Sequence, residues 1–261
     1  MIAKFKNFTG KIIAQASGVA QLAPDRFIII DDRKNLFFQA ILHGENQLTA
    51  TALKLGDSVS FSLQDMEGVT KEPTDSWIYV MTSYSDSKKK HRRRLARFQI
   101  KKGDTISKME KVTNAGNLKD QIQVSLGKQF EFLPKKYEIN IEAFSWAGDG
   151  QELLIGLRSP IIMGQAVIVR TKGIDQAFSS NELTFPNKEI STLDLKRGGI
   201  RAMAHIPDLN GNLLVSGKGE EVVDDYNGEG EENGYFLWFW DGMHSVKKNL
   251  HFPETTDTPG D

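Results

Sequence analysis

A short phrase recurs along this chain: an apolar residue, a Glu or its substitute, a small residue, then an apolar step. It reads Ala16-Ser17-Gly18-Val19-Ala20, Met66-Glu67-Gly68-Val69-Thr70, Ile141-Glu142-Ala143-Phe144-Ser145 and Ile200-Arg201-Ala202-Met203-Ala204, with a fainter copy at Pro253-Glu254-Thr255-Thr256. The second positions, 17, 67, 142, 201 and 254, are 50, 75, 59 and 53 residues apart. A strand-bearing repeat of that period is the signature of radial blades.

Each phrase is followed by turn residues and a second apolar run. Ala23-Pro-Asp-Arg leads to Phe27–Asp32, Glu72-Pro-Thr-Asp to Trp77–Ser83, Gly148-Asp-Gly to Glu152–Arg158, and Asp208-Leu-Asn-Gly to Asn212–Gly217. Runs of β-branched, Leu and aromatic residues between Pro, Asp, Asn and Gly mark hairpins. Their near-continuous apolar character suits sheets covered on both faces. Further strands are expected at Leu36–Leu42, Leu95–Ile100, Ala166–Val169 and Tyr235–Trp240, and an outer or ring-closing strand at Phe8–Ile13. The expectation is a single all-β domain over 1–261: one β-propeller of five blades with the last incomplete, or six if residues 103–138 hide another repeat. Those residues form an insertion whose Leu118, Ile122 and Leu126 spacing favours a short helix, though Ile122, Val124 and Leu126 also fit a strand. Residues 219–232 read as an acidic solvated loop.

Within 261 residues, 39% hydrophobic, 15 Phe and 4 Trp supply bulky filling between sheets. The net charge of −1 exerts no general pull on nucleic acid or anionic membrane. Cysteine is absent, which excludes disulfides and thiol chemistry and accords with a reducing compartment. The opening residues carry no apolar run of signal-peptide length, and no 18-residue apolar stretch occurs. Cytoplasmic residence and a monomer are the corresponding expectations.

Blade geometry gives the repeat its chemical meaning. The start of an inner strand and the end of its antiparallel partner lie on the same face of the disc. Glu67, Glu142, Arg201 and Glu254 begin inner strands, while Asp31, Asp32, Ser83, Arg158, Ser159 and Lys218 end second strands. All are expected around one mouth of the central channel. Converging carboxylates repel unless a cation or arginines offset them. Glu67 and Glu142 are therefore candidate ligands for Ca²⁺ or Mg²⁺, the ions that oxygen donors select. A plainer role fits the same residues: Glu142 paired with Arg201 or Arg158 would lock neighbouring blades.

Several motifs resemble the bacterial family catalogued as "domain of unknown function 3616". They are Asp65-Met-Glu-Gly-Val, Ile141-Glu-Ala with Leu153-Leu-Ile-Gly-Leu-Arg-Ser-Pro160, Gly198-Gly-Ile-Arg201, Ser17-Gly-Val-Ala with Ile30-Asp-Asp-Arg-Lys-Asn35, and Thr82-Ser-Tyr-Ser with Arg94-Leu-Ala-Arg-Phe98. The resemblance spans nearly the whole chain and implies a β-propeller, similar in blade phrasing to phytase-like and esterase-like propellers. It implies no settled activity. The chain departs from the family pattern at Ala143 and Thr255, where Gly is usual, and in its tail.

Other signals are weaker. The run Lys88-Lys-Lys-His-Arg-Arg-Arg94 could attract phosphates, but it has no aromatic platform beside it and reads better as a solvated hairpin tip. Of the five His, only His205 follows an inner strand, and none shares a metal-ligand spacing. Two functions follow from the charged mouth. One is a binding module for a small anionic ligand or a protein partner. The other is a metal-assisted hydrolase of phosphate or related esters, with Glu67 and Glu142 holding the cation or acting as base and Arg158 and Arg201 neutralising developing charge.

Overall fold

The computed structural model describes residues 16–248 except 33–35, 45–46, 57–62, 74–75, 85–93, 102–103, 113–117, 149, 151, 183–189, 207–208, 220, 224–233 and 243–244. The first blade comprises β1 (Ala16–Ala23), β2 (Arg26–Asp31), β3 (Leu36–His43) and β4 (Gln47–Ala52), hydrogen-bonded in that order. A two-residue strand, β5 (Lys54–Leu55), then joins the edge of the second blade, β6 (Met66–Lys71), β7 (Ile78–Thr82), β8 (Leu95–Lys101) and β9 (Thr105–Val112). After helix α1 (Leu118–Gln129) come β10 (Asn140–Trp146), β11 (Glu152–Ser159), β12 (Ile161–Ile162), β13 (Ala166–Lys172), helix α2 (Ile174–Ser180) and β14 (Ile190–Leu193). Of these, β10, β11, β13 and β14 form the third blade. The fourth comprises β15 (Gly198–Ile206), β16 (Gly211–Lys218), β18 (Phe236–Trp240) and β19 (Ser245–Lys248), while β17 (Glu221–Val223) pairs parallel with β12.

All in-blade pairings are antiparallel, and β1, β6, β10 and β15 pack side by side in that order as inner strands. The fold is a β-propeller. Among the described residues it has four blades, which corrects the expectation of five or six. The fifth phrase, with Glu254, and the Phe8–Ile13 strand lie outside the described residues. Residues 103–138 hide no further repeat among those described: β9 completes the second blade, and α1 buries Leu118, Ile122 and Leu126 along one face. The acidic segment is not all loop, since its Glu221–Val223 portion is β17.

Three apolar cores fill the joints between successive blades. Ile28, Ile30 and Phe37 meet Val69, Val80 and Phe98 in the first, and Tyr79 and Met81 meet Phe144, Ile155 and Val169 in the second. Leu154 and Ile168 meet Ile200, Leu214 and Trp238 in the third. Between the first and fourth blades the chain leaves a cleft of about 680 Å³, walled by Phe27, Ile29, Leu48, Leu213, Val215 and Leu237 and continuous with the channel.

The small residue of the repeated phrase has a packing role. A Cβ on Gly68 would overlap the ring of Phe144 on the next inner strand, and one on Gly18 would press on the Val69 backbone nitrogen at 3.2 Å. Glycine there lets neighbouring inner strands approach. Gly68→Ala is therefore expected to lower stability by about 2 kcal/mol through overpacking. An unchanged midpoint in urea unfolding would show that Phe144 has room to turn aside.

Candidate functional site at the channel mouth

The repeated phrase is a β-bulge. In every blade the register between inner strand and partner slips at this phrase, between Ala16 and Gly18, Met66 and Gly68, Ile141 and Ala143, and Ile200 and Ala202, with a second slip between Gln21 and Ala23 in the first blade and between Asn140 and Ile141 in the third. The skipped residues are Ser17, Glu67, Glu142 and Arg201. A bulge removes one side chain from the alternating faces of a strand and re-aims it. Here it equips the same end of all four inner strands with a residue not committed to either face.

Glu142 is the most tightly held of the four. Its Oε1 accepts from Arg158 Nη1 at 3.0 Å and from Asn140 Nδ2 at 3.3 Å, and its Oε2 from Arg201 Nη1 at 2.7 Å. Arg158 Nε also donates to the Lys218 carbonyl at 3.3 Å. One carboxylate from the third blade thus clamps an arginine of its own sheet and one of the fourth. Charge-assisted bonds of this kind are the strong ones. Each guanidinium gives one Nη to Glu142, while Arg201 Nε, buried at the same junction, has no hydrogen-bond partner among the described residues. The Arg201 guanidinium also lies 6.0 Å from the Tyr235 ring centre.

Glu67 has the opposite surroundings. Burial and the nearby carboxylates of Glu142, Asp65 and Asp32 push its pKa up to about 9, against a partial counter-effect of Arg201. It is a neutral acid at pH 7. Oxygens of Asp32, Asp65 and Glu67 lie within 4.8 Å of one another, close enough to share one cation. Asp32 is anchored through Oδ1, which accepts the Met66 N–H at 3.0 Å. Asp65, at φ +60°, precedes β6 and accepts a short hydrogen bond from Ser83 Oγ. Ser83 also donates its N–H to the Asp65 carbonyl at 2.9 Å, joining the two strand ends.

Of the residues marked in the sequence, Glu67, Glu142, Arg158, Arg201 and Asp32 meet at this mouth, and Ser83 joins through Asp65. Lys218 contributes its carbonyl rather than its exposed side chain. Asp31 and Ser159 are buried at 0% and 2% exposure at the ends of β2 and β11. Ser17 Oγ donates to the Met66 carbonyl at 2.5 Å, tying the first blade to the second. The candidate ligand pair of Glu67 and Glu142 separates into two environments, because Glu142 is taken by arginines while Glu67 keeps company with Asp32 and Asp65. Sequence reasoning did not single out Asp65, although its place just before an inner strand, beside Glu67, was available as a signal. Among the described residues, the carboxylates of Asp32, Asp65 and Glu142 and the protonated Glu67 stand against two guanidiniums, which leaves the mouth weakly negative. Only Arg94 of the basic run lies among the described residues.

No known protein-family profile matches the chain, and no curated protein matches it in sequence. Solved structures resemble it at low similarity. Hydrazine synthase from Kuenenia stuttgartiensis is 10% identical with a TM-score of 0.45, covering 90% of this chain and 54% of that one. The periplasmic gluconolactonase of Pseudomonas aeruginosa gives 8% and 0.45, covering 92% and 58%. The PQQ-bound aldose sugar dehydrogenase of Streptomyces coelicolor gives 11% and 0.40, covering 94% of both chains. The chain thus spans little more than half of the first two of these. Their chemistry is not carried over.

Proposed function

We propose that this propeller is a binding protein whose channel mouth takes a divalent cation, Ca²⁺ or Mg²⁺, and through it a small anionic ligand. The observation that carries this reading is the convergence of Asp32, Asp65 and Glu67 within 4.8 Å, where burial and the neighbouring carboxylates make Glu67 hold its proton. A divalent ion would replace that proton and relieve the repulsion, and oxygen donors alone suit Ca²⁺ and Mg²⁺. An anion by itself would meet the carboxylates of Asp32 and Asp65 beside two guanidiniums whose charge Glu142 already offsets in part. With the cation in place, the anion completes the coordination. We further propose, on the motifs alone, kinship with the "domain of unknown function 3616" family, although no family profile matches the chain.

The test is calorimetric titration with Ca²⁺ and Mg²⁺ near pH 8, then with methyl phosphate in the presence and absence of the metal. Metal binding is expected to weaken at least tenfold in Asp65→Asn and in Asp32→Asn, and methyl phosphate to bind only the metal-loaded protein. Equal metal affinity in both variants would refute the site. A hydrolase would need an arginine free to meet charge developing in the transition state. The Glu142 clamp, which holds both guanidiniums in place, supports binding over catalysis in this reading. Metal-dependent turnover of p-nitrophenyl phosphate, abolished by Glu67→Gln, would reverse that order.

A further inference from the structure

The opposite face of the disc holds a different chemistry. There the inner strands end at Ala23, Lys71, Trp146 and Ile206 around a cavity of about 400 Å³. Beside it, where the third blade meets the fourth, lies a second cavity of about 210 Å³, bounded by Gly148, Arg170, Asn212 and Trp240. Only a thin partition separates them, for His205 of the first cavity stands 3.3 Å from where a Cβ would sit on Gly148 of the second.

Four polar groups on this face are buried and have no hydrogen-bond partner among the described residues: Trp146 Nε1, His205 Nδ1, Asn212 Oδ1 and Trp240 Nε1. Trp146, Asn212 and Trp240 are themselves 2%, 4% and 1% exposed. Asn212 and Trp240 face each other as a cross-strand pair between β16 and β18. Leaving such groups unsatisfied costs about 1–3 kcal/mol apiece, so several at adjoining cavities mark places where a ligand would supply bonds. Burial lowers the His205 pKa, so the imidazole is neutral and carries one donor and one acceptor nitrogen. The set comprises two indole N–H donors, the Asn212 acceptor and one imidazole nitrogen.

The charged groups nearby are already matched. Arg170 and Lys172 both pair with Glu152 at 2.9 Å. Lys71 Nζ donates to the Glu72 carbonyl at 3.0 Å, and Tyr79 Oη to the Glu72 carboxylate at 3.3 Å. An ion therefore gains little here. Walls of Val19, Leu22, Val69 and Met203 give the larger cavity apolar surface beside the polar Gln21, Thr70 and His205. Its volume lies within the range of small-molecule pockets. A hydroxyl is the neutral group that both donates and accepts, and a ring bearing several hydroxyls also presents C–H faces to apolar walls. We infer that this second face binds a small neutral cyclic polyol, a hexose or cyclitol, between Trp146 and His205 and reaching toward Asn212 and Trp240. The inference is independent of the cation site, which lies at the other end of the channel.

The test uses the full chain with ¹⁵N-labelled tryptophan, titrated with D-glucose, D-galactose and myo-inositol to tens of millimolar. The protein has four Trp, hence four indole signals. Trp238 Nε1 already donates to Ser216 Oγ at 2.8 Å, and Trp77 lies under Arg97, so these two serve as references. Trp146→Phe and Trp240→Phe assign the other two. At least one polyol is expected to move the Trp146 and Trp240 signals saturably while the references stay still. His205→Phe should weaken that binding at least tenfold and Glu67→Gln should leave it unchanged. Silence across the panel, a linear drift of all four signals, or unaltered binding in a folded His205→Phe protein would overturn the proposal and leave ordered water as the occupant.

Discussion

Replacing Glu67 with glutamine is expected to stabilise the protein, and increasingly so as pH rises. The sign follows from proton linkage. Glu67 binds its proton more tightly in the folded state, with a pKa of about 9 against an ordinary 4.5. Its unfavourable contribution is therefore absent below about pH 4.5, grows through the interval, and levels off above about 9. The full slope is about 1.4 kcal/mol per pH unit. Glu67 keeps part of its surface in water, so screening reduces the gain to about 3 kcal/mol at pH 8. Glutamine preserves the shape and hydrogen-bonding capacity of the neutral acid. Urea unfolding at pH 5 and pH 8 in metal-free buffer checks this: the variant and parent should nearly coincide at the lower pH and separate at the higher. A constant difference between the two would show that Glu67 does not titrate as described. Saturating Ca²⁺ should narrow the gap at pH 8 by stabilising only the parent.

Removing Glu142 should have the opposite effect. Its carboxylate is 13% exposed, and the two guanidiniums it joins are 33% and 20% exposed. Glu142→Ala would leave Arg158 and Arg201 facing each other across the junction of the third and fourth blades without their shared counter-ion. Truncating one partner of a buried pair costs about 3–5 kcal/mol. Partial exposure here sets the expectation at the lower end, about 3 kcal/mol. Denaturant melts of Glu142→Ala and of Glu142→Ala with Arg201→Met provide the check, the second change recovering part of the loss by removing one stranded charge. A loss below about 1 kcal/mol would mean that Glu142 behaves as an ordinary surface pair. Both expectations concern stability, so neither depends on identifying a ligand.

The blade strands were legible because their chemistry is local. Phe27-Ile-Ile-Ile and Leu153-Leu-Ile are apolar enough to be strands buried on both faces, and the turns beside them contain Pro, Asp and Gly. The gathering of Glu67, Glu142, Arg158 and Arg201 was legible too, since it follows from strand direction and repeat phase. The blade number was not, because Pro253-Glu254-Thr255-Thr256 matches the phrase without bringing a described sheet after it. Nor did sequence distinguish the clamped Glu142 from the protonated Glu67. The two occupy the same repeat position, and only the packing of the fourth blade against the third places Arg201 beside one of them. The unpartnered indoles of Trp146 and Trp240 were hidden for a similar reason. A Trp in an apolar run reads as core filling, and whether its N–H finds an acceptor is decided by another strand.

The bulge residue shared by all four inner hairpins has an evolutionary consequence. The extra position stands outside the odd-even alternation that seats each strand against its neighbours, so its occupant can change from Ser to Glu to Arg while the flanking side chains keep their seats. A lineage built this way can alter the charge of its rim one codon at a time without reseating the strands, provided that a partner such as Arg201 changes with Glu142. Divergence among its descendants should then concentrate at four sites spread widely through the gene, which aligned sequences would display as variable columns set within otherwise constant strands.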